Sequence, residues 1–380
     1  MSKDLQASII INNYNYGRFL AEAIDSALSQ TYPNTEVIVV DDGSTDNSRE
    51  IIASYGDKII AVLKENAGQT STFNAGFRAA RGEIICFLDS DDVLLPAVLE
   101  QAASFFTNTN LIKVHWSLWI VDAHSRKTGA LKPPHTIPEG DLLDLVIRDG
   151  PDSAVWSPTS GNAWSRQFLE KVFPLPEVEK EFGVGSASAD AYLSMLAPLF
   201  GHIKRIEEPQ GFYRLHGQND HSAMSFDKKL KRDLQLFDHR SAILSKYCQE
   251  MGVNVEPDKW KENSWFYRLH LATEEIAKLI GQKTFILVDD DAWMMDDSDN
   301  RSVIPFLERN GQYWGAPSDN ETAIRELERL RQSGANFLVF AWTAFWWLDF
   351  YSEFHYYLRT KFSCVLENER LVIFDLRAEL

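Results

Sequence analysis

Short apolar runs alternate with amphipathic segments along the first hundred residues of the chain. Apolar residues between Phe19 and Leu28 recur every three or four positions, which predicts an amphipathic helix. Because strands that alternate with helices need crossover connections, the pattern predicts a mostly parallel sheet with helices on both faces. Four runs have the length and composition of buried strands: Ala7–Ile11, Glu36–Val40, Ile59–Leu63 and Ile84–Leu88.

Polar residues follow three of these four strands directly. The carboxyl ends of parallel strands lie at one edge of a sheet, and ligands of such sheets bind at that edge. We therefore expect the polar loops to gather in one crevice. The loops are Asn12-Asn13-Tyr14-Asn15, Asp41-Asp42-Gly43-Ser44 and Asp89-Ser90-Asp91-Asp92.

The loop after the fourth strand contains three carboxylates, those of Asp89, Asp91 and Asp92. Carboxylates at the end of a buried strand repel one another and lose hydration, so they keep their charge by binding a cation or hydrogen-bond donors. Oxygen ligands favour a hard divalent ion, Mg²⁺ or Mn²⁺, which keeps positions open for phosphate oxygens. Considered alone, the loop also fits a helix N-cap with solvated acids.

Composition limits the classes of partner. The chain has 380 residues, which predicts two domains, and 44% of them are hydrophobic, which is enough for packed cores. Its formal charge of −17 argues against recruitment by nucleic acid or by an anionic bilayer. A phosphate-bearing ligand would therefore need a metal ion that offsets the negative electrostatic potential where it binds. The three cysteines, Cys86, Cys248 and Cys364, lack metal-ligand spacing and indicate reduced thiols.

Neither a secretion signal nor a membrane span is expected. The N-terminus runs directly into the first strand and lacks an apolar signal core. The most apolar late segment, Phe337–Leu348, has about twelve residues against the roughly twenty that a spanning helix needs. We therefore expect a cytoplasmic protein, with peripheral association at the inner face of the membrane as an alternative.

The middle of the chain is less regular. Strands are predicted at Ile112–Trp119 and a helix at Leu142–Arg148. Trp156 and Trp164 fit either stacking on sugar rings or a place in the core. Asp190 opens an apolar helix, and by position alone it would be an N-cap.

The last third of the chain predicts a separate small α/β unit after two helices within residues 227–278. Helices are expected at Asn320–Gln332, with Asn320 as its cap, and at Phe345–Arg359. The acids at 289–291 and 296–299 fit a solvated strand end better than a metal site. Aromatic residues are dense between 342 and 357; packing on the first domain is the leading explanation, with glycan or membrane contact as alternatives. The predicted domains are 1–222, a helical linker at 223–281, and 282–380.

The ordered motifs of the first hundred residues resemble the successive signatures of family 2 inverting glycosyltransferases. Their order and spacing match that family as well as their residues. The segments are Asn12–Asn15, Glu36–Asp46, Asn66-Ala-Gly68 with Asn74-Ala-Gly76, and Leu88–Asp92. The segment Phe212–His216 also resembles the end of the family's catalytic domain.

The resemblance implies a GT-A type nucleotide-diphospho-sugar transferase fold and an enzyme that moves a sugar from a UDP- or dTDP-linked donor. The acceptor would be a hydroxyl of a glycan or of a lipid-linked sugar, in cell-surface polysaccharide biosynthesis, with Mn²⁺ or Mg²⁺ as the cofactor. It assigns donor binding to Asn12, Tyr14, Asp41, Gly68, Asp89 and Ser90, metal binding to Asp91 and His216, and the general base to Asp190.

Three other functions are alternatives to this interpretation. A catalytically silent nucleotide-sugar or glycan-binding module stays open, because Ala189 replaces a Glu of many relatives and the last hundred residues match no known activity. A nucleotidyltransferase would require a Gly-rich basic loop after the first strand. Hydride transfer would need Gly-x-Gly-x-x-Gly there, and the chain has Asn-Asn-Tyr-Asn instead.

Overall fold

The computed structural model of the protein describes residues 5–107, 110–176, 189–217, 225–293, 295 and 302–380. The chain forms two compact units, one of Met1–Ser222 with Leu236–Trp260 and the other of Ala223–Gln235 with Lys261–Leu380. The predicted domain division at 222 and 282 stays a prediction. The acids at 296–299 lie outside the described residues.

The first unit contains a seven-stranded sheet in the order β10-β6-β9-β4-β1-β2-β3. Strands β3, β2, β1 and β4 are mutually parallel, and β9 runs antiparallel between β4 and β6. The mostly parallel sheet is therefore confirmed. Its strands are β1 (Ala7–Asn13), β2 (Thr35–Asp42), β3 (Ile60–Lys64), β4 (Ile84–Asp89), β6 (Leu111–Trp116), β9 (Asn162–Ser165) and β10 (His202–Ile206).

A second sheet of this unit has the order β5-β11-β7-β8. Strands are predicted at 112–119, and the structure has two of them: β6 ends at Trp116, and β7 starts at Leu118 in the other sheet. Apolar periodicity continues across Ser117, so the sequence does not indicate where one strand ends and the next begins. The strands are β5 (Val93–Leu94), β7 (Leu118–Asp122), β8 (Lys127–Lys132) and β11 (Gly211–Leu215).

Helices cover the first sheet. The helix predicted from Phe19 to Leu28 is confirmed as α1, whose buried positions include Leu20, Ala23 and Ile24. The described helices that lie wholly in this unit are α1 (Gly17–Leu28), α2 (Ser48–Ser54), α3 (Gln69–Ala79), α4 (Val98–Phe105), α5 (Leu143–Asp149), α6 (Arg166–Val172) and α7 (Ala189–Leu196). Helix α8 (Phe226–Glu250) contributes residues to both units, and α9 spans Pro257–Asn263.

Strand register brings the polar loops together. Asn12 of β1 is the partner of Asp89 in β4, and Asn13 is the partner of Asp41 in β2. Residues that follow these strands therefore share the carboxyl edge of the sheet, as the alternation pattern predicts.

Gly76 is a point of close contact between α3 and the sheet. A Cβ at this position would lie 2.3 Å from Ile10 Cγ2 and 3.2 Å from Val40 Cγ2. Alanine normally stabilises a helix interior by about 1 kcal/mol relative to glycine. Here we expect Gly76→Ala to lower the free energy of unfolding by about 1–3 kcal/mol, because the methyl group must displace packed core side chains.

Chemical denaturation of the unaltered protein and of Gly76→Ala would measure this loss of unfolding free energy. Arg78→Ala is the matched control, because Arg78 lies on the same helix and is exposed. Its change should stay within about 0.5 kcal/mol. A stabilised Gly76→Ala variant would contradict the packing explanation.

The second unit is built on a five-stranded sheet in the order β13-β12-β16-β18-β17. Strands β13, β12 and β16 are parallel, whereas β18 is antiparallel to both of its neighbours. The predicted small α/β unit is thus present in the structure. Its strands are β12 (Phe285–Val288), β13 (Val303–Pro305), β16 (Phe337–Ala341), β17 (Phe362–Glu367) and β18 (Leu371–Glu379), with a hairpin of β14 (Glu308–Arg309) and β15 (Gln312–Tyr313).

Helices pack on both faces of this second sheet. One core joins Val288 and Phe340 to the helices that contain Leu327, Trp347 and Phe354. The other core, on the opposite face, contains strand residues such as Leu287 and Val339 and the helix Trp265–Ile280. The helices are α10 (Trp265–Ile280), α11 (Asn320–Gln332), α12 (Trp346–Phe350) and α13 (Ser352–Lys361).

Two local predictions for this unit are wrong. The cap of α11 is Asp319, whose side chain accepts the backbone N–H of Thr322, whereas Asn320 accepts the N–H of Phe354. The predicted helix from Phe345 to Arg359 is two helices separated at Tyr351, whose φ of −95° and ψ of 63° interrupt the helical geometry. In the described part of the chain, no helix is both long and apolar enough to cross a bilayer.

Candidate functional site

The carboxyl edge of β1, β2 and β4 carries the polar loops that the sequence singles out. Asn12 Nδ2 donates to Asp89 Oδ1 at 2.6 Å, which joins the loops after β1 and β4. Asn13 Nδ2 donates to Asp41 Oδ1 at 3.0 Å, which joins the loops after β1 and β2. Three segments far apart in sequence thus form one connected polar surface.

Tyr14 and Asn12 offer different contacts on this surface. The Tyr14 side chain is 47% exposed, so its ring is accessible to a flat ligand. Asn12 Oδ1 is buried and has no hydrogen-bond partner in the described structure. A buried acceptor without a donor is costly, so this atom favours a ligand that donates a hydrogen bond.

Asp41 lies below this surface. It is fully buried, and its carboxylate accepts from Asn13, from the Ser44 backbone N–H at 3.1 Å and from Arg49 Nε at 2.8 Å. Burial raises the pKa of Asp41, but hydrogen bonds from Arg49, Ser44 and Asn13 outweigh it and hold the pKa below its ordinary value. A nucleotide base could reach the Asp41 carboxylate only if these hydrogen bonds rearranged.

Gly68 and the neighbouring carboxylate Asp42 form the next part of the edge. Gly68 has φ of 88° and precedes α3, a backbone conformation that disfavours a Cβ. Its N–H donates to Asp42 Oδ2 at 2.8 Å, and the Lys64 ammonium contacts Oδ1 of the same carboxylate. Lys64 is a basic residue near Gly68 that the motif comparison missed, because it belongs to β3 rather than to the glycine loop.

Asp89, Asp91 and Asp92 experience mutual repulsion. Burial, followed by the charge of Asp91, raises the pKa of Asp89 to about 7. Burial also raises the pKa of Asp91. The pKa of Asp92 lies well above its ordinary value, because burial and the charges of Asp91 and Asp89 all raise it. A cation or added donors would relieve this repulsion. Ser90 is only 3% exposed, so its hydroxyl lies below the solvent-facing side of the loop.

Asp91 and His216 form a close pair. His216 Nε2 lies 3.0 Å from Asp91 Oδ2; the His216 side chain is fully buried and that of Asp91 is 14% exposed. A carboxylate oxygen and an imidazole nitrogen that converge in this way suit Mn²⁺, and the carboxylate alone suits Mg²⁺. Among the described residues, no group of three or more such ligands is preformed. An ion at this pair would therefore need further ligands from outside the described residues.

Asp92 has a structural role in the same loop. Its carboxylate accepts from Ser160 Oγ at 2.7 Å and from the backbone N–H of Arg214 at 3.0 Å. Of the three loop acids it is the most buried, at 1% exposure. It therefore holds the loop against β11 and the turn before β9.

Asp190 lies in the first turn of α7, and its Oδ1 accepts the backbone N–H of Ala191 at 2.8 Å. Its negative charge contributes to the raised pKa of Asp89. The Asp190 carboxylate therefore lies within electrostatic range of Asp89. The preceding Ala189 is 1% exposed and packs in the core.

Lys113 is a buried cation near Asp190 that sequence reasoning missed. Its Nζ donates to Ser194 Oγ at 2.8 Å and lies over the rings of Trp156 and Trp164 at 4.6 and 4.7 Å. Burial lowers the pKa of Lys113 well below its ordinary value, and the charge of Asp190 partly offsets this. Its only sequence signal is a lysine within an apolar strand.

Trp164 is only 1% exposed, so its interpretation as a sugar platform is wrong. The ring packs in the core, where it contacts Phe168. Trp156 is partly buried, and its Nε1 has no hydrogen-bond partner among the described residues. Of the two tryptophans, only Trp156 keeps an accessible part of its ring, and its Nε1 is buried.

Arg214 links the β4 loop to α1. Its Nε donates to the Asp91 carbonyl oxygen at 2.8 Å, and its terminal nitrogens donate to Ser125 Oγ at 2.7 Å and to Glu22 Oε2 at 2.6 Å. Its side chain is 2% exposed. The guanidinium is thus committed to protein groups.

Comparison with known proteins shows the family to which the chain is similar. A family model described as glycosyl transferase family 2 matches residues 8–132. The chain is 38% identical over 221 residues to an uncharacterized glycosyltransferase of Nostoc sp., covering 57% of this chain and 67% of the relative. It is 41% identical over 143 residues to an uncharacterized glycosyltransferase of Rickettsia prowazekii, covering 37% of this chain but only 44% of that relative.

Solved structures share the fold. The S. aureus TarS structure of residues 1–349 in complex with UDP matches with a TM-score of 0.50 and 21% identity, over 72% of this chain and 75% of that chain. The corresponding complex with UDP-GlcNAc matches with a TM-score of 0.50 and 20% identity, over 73% and 76%. The GT-A type α/β fold expected from the sequence is therefore confirmed.

Proposed function

Because the chain belongs to glycosyltransferase family 2, we propose that it is a metal-dependent inverting transferase that uses a UDP- or dTDP-linked sugar. The acceptor is a hydroxyl of a glycan or of a lipid-linked sugar, in cell-surface polysaccharide assembly. The observation that carries this proposal is the polar edge with the exposed Tyr14 and the Asp91–His216 pair, whose neighbour Asp89 is within electrostatic range of Asp190.

The donor base is the first element of the proposal. The exposed Tyr14 ring stacks on the base, since either face of a flat base makes favourable contact. The unpartnered Asn12 Oδ1 accepts the imide N–H of uracil or thymine, and this favours both over cytosine, which lacks that proton. UDP, the nucleotide in one TarS complex, is the first to test.

The diphosphate is the second element. Asp91 and His216 would hold Mn²⁺ or Mg²⁺, with Asp89 two residues from Asp91. When bound, such an ion stabilises the negative charge that accumulates on the departing nucleoside diphosphate. The protein's own contribution is to fix the two ligands and to exclude water from the neighbouring carboxylates.

Asp190 supplies base catalysis in this proposal. A sugar hydroxyl is a weak nucleophile, so Asp190 takes its proton while the oxygen bonds to the anomeric carbon. The bond from that carbon to the diphosphate oxygen breaks, and its electron pair leaves with the nucleoside diphosphate. One in-line displacement inverts the configuration at the anomeric carbon.

A binding screen followed by product analysis tests the proposal. Thermal shift would be measured with UDP, dTDP, GDP and CDP sugars in the presence of Mn²⁺. We expect stabilisation by uridine or thymidine nucleotides, and an inverted product once an acceptor is supplied. Nucleotide binding without donor hydrolysis or transfer would instead support the silent binding module, which the small Ala189 before Asp190 keeps open.

Arg214 is expected to act as a positioning residue for this metal pair. Arg214→Lys keeps the charge but loses the planar fork that holds Asp91, Ser125 and Glu22 together. We expect Mn²⁺ affinity, measured by calorimetry, to fall about 10-fold or more, as is common when residues that orient metal ligands are altered.

The Arg126→Lys variant is the control, because Arg126 pairs with Asp122 at the surface. It should bind Mn²⁺ as the unaltered protein does. Equal Mn²⁺ affinity in Arg214→Lys would show that the Asp91 backbone needs no support from this guanidinium.

A further inference from the structure

The second unit exposes two large aromatic side chains of α12. Trp346 is 45% exposed and Phe350 is 69% exposed, and their ring centroids are 5.8 Å apart. We call these two side chains the aromatic surface. Two adjacent exposed rings of this size on a folded unit are typical of a binding surface.

Hydrogen bonds and packing fix the Trp346 ring. Its Nε1 donates to Asp290 Oδ2 at 2.7 Å, so the exposed part of the indole is hydrocarbon. Asp290 Oδ1 accepts from Trp347 Nε1 at 3.0 Å and from the Tyr313 hydroxyl at 3.3 Å. One carboxylate therefore ties α12 to the β15 hairpin and to the end of β12.

The neighbouring side chains hold α12 rigidly. Trp347 is fully buried and Tyr351 is 4% exposed. The Tyr351 hydroxyl donates to the Pro317 carbonyl at 2.6 Å, and its ring lies 4.9 Å from that of Phe350. A preorganised surface loses little conformational entropy when a ligand binds.

Hydrogen-bond acceptors lie beside these rings. Asp290 and Asp291 follow β12 at the carboxyl edge of the parallel strands, the edge at which ligands of such sheets bind. Asp291 is exposed and Asp290 is partly exposed. Within the described ranges, the side chains that donate to Asp290 are aromatic and uncharged, and none of them forms an ion pair with it.

We propose that the aromatic surface and these two carboxylates bind an uncharged glycan. A sugar ring has an apolar C–H face that stacks on a flat aromatic ring and a rim of hydroxyls that donate to carboxylates. Asp290, Asp291 and the net charge of −17 disfavour anionic sugars and anionic bilayers. The family's sugar chemistry makes a glycan the fitting occupant, and the inference is independent of the metal and base assignments.

Titration of the full-length chain with oligosaccharides tests the proposal. The uncharged probes are cellohexaose, maltohexaose and chitohexaose, and the anionic probe is hexagalacturonate. We expect saturable binding of an uncharged probe, seen by calorimetry and by a change in tryptophan fluorescence. Phe350→Ala should weaken it about tenfold or more, because this side chain supplies exposed ring area and is not needed for the buried network. Trp346→Phe retains a ring but loses the bond to Asp290, and should weaken binding less.

Two control variants test whether binding is specific to the aromatic surface and independent of sugar transfer. Trp265 is 40% exposed on α10, which packs on the opposite face of the sheet, so Trp265→Ala should bind as the unaltered protein does. Asp91→Ala should also keep glycan binding even if transfer is lost, which distinguishes this proposal from the proposed function.

Several results would overturn the proposal. These are the absence of binding by every uncharged probe, binding of hexagalacturonate alone, or equal binding by Phe350→Ala. Sedimentation that shows a dimer dissociated by Phe350→Ala would assign the aromatic surface to a second copy of the chain instead.

Discussion

Replacement of Asp91 by Ala is expected to abolish both donor hydrolysis and sugar transfer, with a loss of about 10³-fold or more. Asp91 Oδ2 is the atom that converges with His216 Nε2 at 3.0 Å. Without this oxygen, the imidazole alone would have to hold the ion against the diphosphate. Release of the nucleoside diphosphate would measure turnover, and calorimetry with Mn²⁺ would measure the loss of metal affinity.

The Asp91→Ala variant should remain folded. Burial raises the pKa of Asp91, and its charge contributes to the raised pKa of Asp92 and Asp89, so its removal relieves repulsion at the edge. Glu50→Ala, at an exposed acid of α2, is the control and should keep full activity. Full activity in Asp91→Ala would refute the metal assignment.

Asp190→Asn is expected to leave donor binding normal while turnover falls about 10²–10⁴-fold. Asparagine keeps an oxygen that can accept the Ala191 N–H, so the start of α7 should persist. It cannot take a proton from an acceptor hydroxyl. Calorimetry with the donor and initial rates with the acceptor would separate binding from turnover.

The same substitution has an electrostatic signature. The charge of Asp190 raises the pKa of both Asp89 and Lys113, so both pKa values should fall in Asp190→Asn. Asp190→Glu is the matched variant, because it restores a carboxylate on a longer side chain and should recover part of the rate. Unchanged turnover in Asp190→Asn would remove this residue as the base, and lost donor binding would place it in the donor site.

Local sequence pattern was sufficient for much of the first unit. Apolar runs of strand length and the helical spacing of α1 predicted elements that the structure contains within a few residues. The position of the polar loops at one edge followed from strand direction alone, since parallel strands end on the same side. The same reasoning was less accurate at Tyr351, where periodicity continues through a break in the backbone.

Burial could not be read from the motifs. Asp41 and Ser90 belong to recognisable segments, yet Asp41 is fully buried and Ser90 is 3% exposed. Trp164 also suits a sugar platform by residue type but lies in the core. Residue type defines what a side chain can do, whereas the surrounding elements define whether a ligand can reach it.

The sequence by itself determined the alternation of strands and helices, the polar edge and the family. Only the tertiary structure decided that Arg214 bonds to Glu22, 192 residues away, and that Lys113 lies beside the Asp190 helix. It also joined Asp290 to the indoles of α12. The physical reason is range: backbone periodicity repeats over a few residues, whereas the pairing of buried charges and donors depends on packing between elements distant in the chain.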